Sequence, residues 1–154
     1  MPEARAKPAG NLRERVLALL ARREHSRAEL TRKLATAGFD REEINPLLDQ
    51  FEAKNWLSDQ RFAESYIADH LMKAGSIKLA YDLRQRGVSD TIIEAILGAK
   101  RSSEHDRARE VWKKKFGTPP VEAKEKAKQI RFLQSRGFSS DVIRKTLSGA
   151  SELD

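Results

Sequence analysis

Three glycines place the strongest constraint on what this chain can fold into. Gly38, Gly87 and Gly137 lie 49 and 50 residues apart, and each is the centre of the same pattern. Four residues before each is a leucine (Leu34, Leu83, Leu133), and one after is Phe39, Val88 or Phe138. Two after is a helix-capping residue (Asp40, Ser89, Ser139), six after an isoleucine (Ile44, Ile93, Ile143), and ten after a leucine (Leu48, Leu97, Leu147). A glycine free to adopt the left-handed conformation after a helix, followed at once by a cap, reads as a helix–turn–helix hairpin. The sequence therefore predicts one supersecondary unit repeated three times, each hairpin preceded by a longer helix. A unit of about 50 residues has little apolar surface to enclose, so neighbours are expected to share faces in an elongated, curved stack.

The remaining segments agree with an all-α chain. Apolar residues recur with the helical period, and no stretch alternates as a strand would. Nine helices are expected. Asn11 can cap the first, whose stripe is Leu12, Val16, Leu19 and Leu20. Ser26 with Glu29 and Asp40 with Glu43 have capping-box spacing, and Ser103 with Asp106 opens a later helix in the same way. Pro46 falls where a helix from Asp40 would lose a backbone donor, so that helix either kinks or begins with Asn45 as cap and Pro46 at its first position. Ser76 is expected to cap the helix after Gly75, and Gly149 to stop the last one. The units are placed at 11–57, 58–101 and 102–149, with a flexible N-terminal tail at 1–10 and a C-terminal tail at 150–154.

Composition limits the chemistry. With no cysteine among 154 residues there is no disulfide, no thiolate nucleophile and no Cys-ligated metal. Residues 1–10 lack the apolar core of a signal peptide and no run is long enough to span a membrane, so a cytoplasmic protein is expected. There is no Gly-rich phosphate loop and no HExxH. His25, His70 and His105 fall in different units, and Glu104-His105-Asp106 cannot converge on one ion because neighbours on a helix point in different directions. Asp59 and Glu64 near Tyr66 read as first-turn helix carboxylates rather than an acid/base pair. No enzymatic activity and no cofactor are expected.

Charge points to a binding role. The chain carries 30 Lys and Arg against 23 Asp and Glu, a net +7. Residues 41–73 lean acidic, whereas residues 100–145 hold 14 basic and 6 acidic side chains, a local +8. That third would be drawn to phosphate or to an acidic protein surface. The foremost candidates for a partner or nucleic-acid surface are Lys113, Lys114, Lys115, Lys124, Lys128, Arg131 and Arg136. Arg22, Arg23, Arg27 and Arg32 follow, then Arg84 and Arg86. Arg86 and Arg136 both precede the hairpin glycine, where the helix dipole alone would favour a cation.

The first unit, from Ser26 to Leu57, could be the three helices of a winged-helix DNA-binding domain. That fold needs a strand pair after the third helix, but Ser58-Asp59 opens another helix instead.

Several blocks resemble the RecX family. Arg22-Arg23-Glu24-His25-Ser26, with Glu29-Leu30, Lys33-Leu34 and Gly38-Phe39, is similar to its N-terminal signature, as is Leu57-Ser58-Asp59-Gln60-Arg61-Phe62-Ala63-Glu64-Ser65-Tyr66-Ile67. Asp82-Leu83-Arg84-Gln85-Arg86-Gly87-Val88 resembles the family's central hairpin. Phe132-Leu133-Gln134-Ser135-Arg136-Gly137-Phe138-Ser139, with Ile143, resembles the C-terminal one. The blocks occur in order over residues 11–149. The chain departs from the family at Ala74-Gly75-Ser76, where a Gly-x-Gly-Pro type entry is usual. The resemblance implies a regulator that binds the bacterial RecA recombinase. It would lodge in the groove of the RecA–DNA filament and lower ATP hydrolysis, strand exchange and repressor co-cleavage, with at most weak binding to DNA itself. It also implies a protein of recombination, DNA repair and the SOS response. A monomer is expected. The alternative is a nonspecific DNA-binding or architectural helical protein with no recombinase partner. A scaffold for another acidic protein is a third class.

Overall fold

The computed structural model describes residues 10–152, and among them the chain is helical throughout, with no strand. The elements are α1 (Leu12–Arg22), α2 (Arg27–Thr36), α3 (Arg41–Ala53), α4 (Asp59–His70), α5 (Ser76–Gln85), α6 (Asp90–Gly98), α7 (Glu104–Lys115), α8 (Ala123–Ser135) and α9 (Ser140–Glu152), with a short 3-10 turn (Arg101–Ser103) before α7. With Leu57 followed directly by α4, there is no wing, and the winged-helix reading fails. Asn55, at φ 65°, turns the chain from α3 into α4. No helix among the described residues is long and apolar enough to cross a membrane.

The three glycine hairpins are one device. Gly38, Gly87 and Gly137 have φ of 103°, 81° and 87°. In each, the N–H of the next residue returns to the leucine carbonyl five residues back: Phe39 to Leu34, Val88 to Leu83, Phe138 to Leu133, at 3.1–3.2 Å. The glycine N–H bonds the carbonyl three back. This is the Schellman closure, and its apolar partners are the Leu and Phe/Val pairs that recur in the sequence. All six are buried.

Each unit closes a core of its own. Val16, Leu30, Leu34, Ile44, Leu48, Phe51 and Leu57 form the first, between α1, α2 and α3. Phe62, Ile67, Leu79, Leu83, Ile93 and Leu97 form the second. Val111, Trp112, Leu133, Phe138, Ile143 and Leu147 form the third, where α7 packs chiefly on α9. The expected sharing of apolar faces is therefore corrected. Three helices suffice to enclose these leucines and isoleucines, and the units meet chiefly through backbone and polar groups, with Ala28 and Phe138 close against Gly87 and Gly75.

The two joints use the same parts. At the first, the N-terminus of α2 docks on the second unit's hairpin: Ser26 Oγ donates to Arg86 O at 2.6 Å, and Asp59 Oδ1 accepts the Arg27 N–H at 2.8 Å. At the second, the N-terminus of α5 docks on the third unit's hairpin. The Gly75 N–H donates to Arg136 O at 2.7 Å, and the Ile77 N–H to Gly137 O at 3.1 Å. Glu104 Oε1 accepts the Ser76 N–H at 3.0 Å. Asp59 and Glu104 each begin the first helix of their unit, and each satisfies the first orphan donor of the preceding unit's middle helix. Among the described residues, every hydrogen bond that crosses units joins neighbours in the chain.

Several local expectations change. Ser26 and Glu29 form the full capping box, but Asp40 makes no side-chain cap because its backbone carbonyl already takes the Glu43 N–H at 3.0 Å. Helix α3 runs from Arg41 with Pro46 inside it, so the later start at Asn45 is excluded. Gly75, not Ser76, is the N-cap of α5, and the missing side-chain cap is replaced by Glu104. Ser103 does not cap α7, because its hydroxyl is engaged by Arg107 and Lys100 O. Helix α9 passes through Gly149 to Glu152, since Ala150, 7% exposed, still packs on the third core. The N-terminal tail expected at 1–10 and the end of the C-terminal one, 153–154, lie outside the described residues but for Gly10.

Gly75 gives a test of the second joint alone. Its φ of −83° suits any residue, yet a Cβ there would lie 2.4 Å from Gly137 O. Gly75→Ala should therefore destabilise the protein by about 1–3 kcal/mol through overpacking, beyond the modest preference of an N-cap for glycine over alanine. Urea denaturation measures this, and an unchanged midpoint would mean the joint is not held closed.

Candidate functional site

The cations expected to face a partner divide into those held within the molecule and those left to solvent. Arg27 binds Asp49 at 2.6 Å, Glu52 by a shorter contact, and the Asn45 carbonyl at 3.2 Å, so it ties α2 to α3. Arg23 pairs with Glu29 at 2.8 Å, and Arg84 with Asp90 at 2.6 Å. Arg86 donates to Asp82 O at 3.0 Å and lies 4.6 Å above the Tyr66 ring. Lys113 is loosely paired with Glu110 at 3.8 Å. By contrast, Arg22, Arg32, Lys114, Lys115, Lys124, Lys128, Arg131 and Arg136 are exposed and form no ion pair among the described residues. Geometry therefore removes Arg27 from the candidate surface; five of the eight unpaired cations lie on α7 and α8, Arg136 directly follows α8, and Arg22 and Arg32 lie on α1 and α2.

Two arrangements result. Lys124, Lys128 and Arg131 occupy one face of α8, at i, i+4 and i+7, in a strip of about 10 Å. They face outward because the opposite side is anchored. Gln129, 1% exposed, accepts the Trp112 indole N–H at 2.8 Å and donates to Thr118 O at 3.1 Å. Leu133 enters the core beside it. The second arrangement is a groove where α4 of the second unit meets α7 and α8 of the third. Lys73, Lys114, Lys115 and Arg136 surround a floor of Met72, Val111 and Phe132. Arg136 and Lys115 lie 5.2 and 5.7 Å above the Phe132 ring, and Phe116 meets it edge-on at 5.4 Å.

No group of His, Asp and Glu among the described residues is placed to hold a metal. Glu104 is buried as the clamp on Ser76, and burial pushes the Asp59 carboxyl above its ordinary range, only partly opposed by the Arg27 N–H it accepts. Both acids are engaged in the joints.

Three RecX domain models match the chain in order: the first three-helix domain over residues 13–51, the second over 58–97 and the third over 103–147. The chain belongs to the RecX family. Its relatives include the regulatory protein RecX of Chromobacterium violaceum, 48% identical over 94% of this chain and 93% of that one. RecX of Ralstonia nicotianae is 41% identical over 93% and 90% of the two chains, and that of Neisseria meningitidis serogroup C 42% identical over 94% of each. The crystal structure of RecX from Lactobacillus salivarius superposes with a TM-score of 0.77 at 18% identity, covering 91% of this chain and 94% of that one. A second RecX crystal structure gives 0.75 at 20% identity, over 87% and 70%. The RecX fold is thus shared, and the relatives are regulatory proteins.

Sequence reading located the basic third of this RecX chain but missed Met72 and Lys73, which lie in an acidic stretch and enter the groove only through the joint. It also missed Arg107, buried on α7 and donating to Lys100 O at 3.0 Å, which removes one cation from the apparent surface charge. Asp59 and Glu104 could have been recognised by aligning first helices as well as glycines.

His25 is 2% exposed, beside the Ser26 cap of the first joint. Lys33 Nζ donates to its Nε2 at 3.1 Å, so the proton is on Nδ1, which donates to Arg23 O at 3.0 Å. Burial holds its pKa below the ordinary 6.5, and the Arg23 and Lys33 charges add to this against the raising effect of the Arg23 carbonyl. The unfolded chain then takes up a proton that the folded one refuses, so stability rises with pH and is lost on falling below about 6.5. The urea midpoint should drop between pH 8 and 5.5, and His25→Gln should reduce that drop. Equal drops in both proteins would place the titration elsewhere.

Proposed function

We propose that this RecX chain is a negative regulator of the RecA recombinase, acting in the cytoplasm on the RecA–DNA filament during recombination, repair and the SOS response. The observation that carries the reading is the match over 94% of the chain to a protein named as a RecX regulator, with a third unit in which Lys114, Lys115, Lys124, Lys128, Arg131 and Arg136 form no ion pair among the described residues. A nucleoprotein filament offers a long track of phosphate and acidic side chains. A row of units joined end to end can address such a track through several surfaces at once, with avidity that no single unit has. The strip Lys124, Lys128 and Arg131, with the groove around Phe132, is the surface assigned to the filament. Arg22 and Arg32 on the first unit are a second contact. Bound at a growing end or along the groove, one molecule would affect many recombinase subunits.

The unpaired strip also supports a second reading, in which the protein grips DNA alone. Neutralising Z phosphates of duplex DNA gives a salt slope of about −0.9Z, equal on bare DNA and on the filament. The filament reading requires preference for the filament instead.

The decisive measurement is ATP hydrolysis by purified RecA on single-stranded DNA. Hydrolysis should fall at well under one RecX molecule per RecA. The triple charge reversal Lys124→Glu, Lys128→Glu and Arg131→Glu should keep its helical circular dichroism yet need about tenfold more protein for the same effect. Unaltered hydrolysis with the unmodified protein would reject the regulatory reading. Unaltered potency of the triple variant would move the contact to another face.

A further inference from the structure

The two joints build two equivalent grooves, and their side chains differ in a way that folding does not require. At the first joint the groove lies between the end of α1, α4 and Arg86; at the second, between the end of α4, α7 and Arg136. Helices α4 and α7 are both 12 residues long, so their positions correspond one to one. Asp69 of the first groove is matched by Lys114 of the second, His70 by Lys115, and Tyr66 by Val111. The N-caps Ser26 and Gly75 align the segments before them, so Glu24 is matched by Lys73 and Arg23 by Met72. The hairpin glycines match Asp82 with Phe132.

The first groove is internally balanced. Arg23 is paired with Glu29, and Arg61 with Glu24 at 3.0 Å. The Tyr66 hydroxyl donates to Asp82 at 3.0 Å, and His70 stacks on the Tyr66 ring with centroids 4.0 Å apart. At the second joint each of those carboxylates is replaced by a cation or an aromatic ring. No carboxylate lines that groove, and Met72 on its floor is 60% exposed. The same joint closes with either set. Four converging cations repel one another. Val111 and Phe132 belong to the third core, and Lys115 and Arg136 rest on the Phe132 ring, but Lys73 and Lys114 form no ion pair among the described residues and the exposed Met72 joins none of the three cores.

Resting on the regulatory reading above, we infer that the groove at the second joint docks an acidic segment of a protein partner, with one apolar side chain of that segment on the Met72–Val111–Phe132 floor. The floor selects protein over nucleic acid. Phe132 already carries Arg136 and Lys115 above it and Phe116 at its edge, and its neighbours are aliphatic, so the groove offers no stacking platform for successive bases. The cations also converge from two units instead of following a line. The linear arrangement in this protein is the α8 strip. A flexible methionine beside lysines suits an apolar anchor flanked by carboxylates.

The test uses the full chain and a fluorescent ten-residue peptide of aspartate and glutamate with a central phenylalanine. Controls are the same peptide with alanine at the centre and an oligothymidylate. Fluorescence anisotropy should show the phenylalanine peptide binding several-fold more tightly than the alanine one. Lys73→Glu with Lys114→Glu should weaken it by about tenfold. Met72→Ser, at an exposed site where folding is not at risk, should lower affinity towards that of the alanine peptide. Lys124→Glu with Lys128→Glu should leave peptide affinity within about twofold. The inference is overturned if the two peptides bind alike, if the groove variants bind like the unmodified chain, or if oligothymidylate binds through Lys73 and Lys114 while the peptide does not. ATP hydrolysis by RecA separates the two levels. Groove variants that still inhibit fully would sink the docking inference and leave the regulatory reading standing, whereas an unmodified protein without inhibition would sink the latter.

Discussion

The structure depends on one repeated contact: the N-terminus of a middle helix seated on the glycine hairpin of the next unit. Helix starts carry unpaired N–H groups, and hairpin ends carry unpaired carbonyls. At the second joint the Gly75 and Ile77 N–H groups donate directly to the Arg136 and Gly137 carbonyls, and at the first the Ser26 hydroxyl donates to the Arg86 carbonyl, so the units join without a shared apolar core. Glycine is needed twice over. It supplies the positive φ that closes the hairpin, and it lets the neighbouring backbone approach; a Cβ on Gly137 would lie 2.3 Å from the Lys78 Cβ, and one on Gly87 2.3 Å from the Ala28 Cβ. An acidic residue at the head of the next unit, Asp59 or Glu104, completes each joint.

Because each core is enclosed within its own unit, the units can diverge in surface chemistry without losing the stack. The first joint is lined by paired charges and by Tyr66 and His70. The second has lost every one of those carboxylates. The third unit even buries Arg107 where the second buries Phe62, at the same position of the first helix. That guanidinium has lowered pKa because burial outweighs the attraction of Glu104. The fold therefore tolerates polar substitution at quasi-equivalent places.

Much of this was legible in the chain. The Leu–Gly–Phe/Val pattern is the Schellman hairpin itself, so its location, its handedness and its apolar contact follow from local chemistry. Ser26, Ser58 and Ser89 cap where a hydroxyl before a helical stripe should. Errors arose where a distant group took over a local role. Ser76 has a hydroxyl suited to capping, but Glu104 from the next unit satisfies the helix start. Gly149 looks like a stop, but the packing of Ala150 carries α9 through it. Charge was legible as an excess over residues 100–145, but not which cations were already paired.

The sequence by itself determined the helices, the threefold repeat and the family, because these rest on contacts within about ten residues and on periodicity. Tertiary structure alone decided how the units meet and which side chains converge. Met72 and Lys73 are far in sequence from Lys114, Phe132 and Arg136, and only the docking of α5 on the third hairpin brings them to one groove. Pairing is likewise a three-dimensional property. Arg27 and Arg32 are alike as letters, but the first is held by Asp49 and Glu52 across the unit and the second faces solvent.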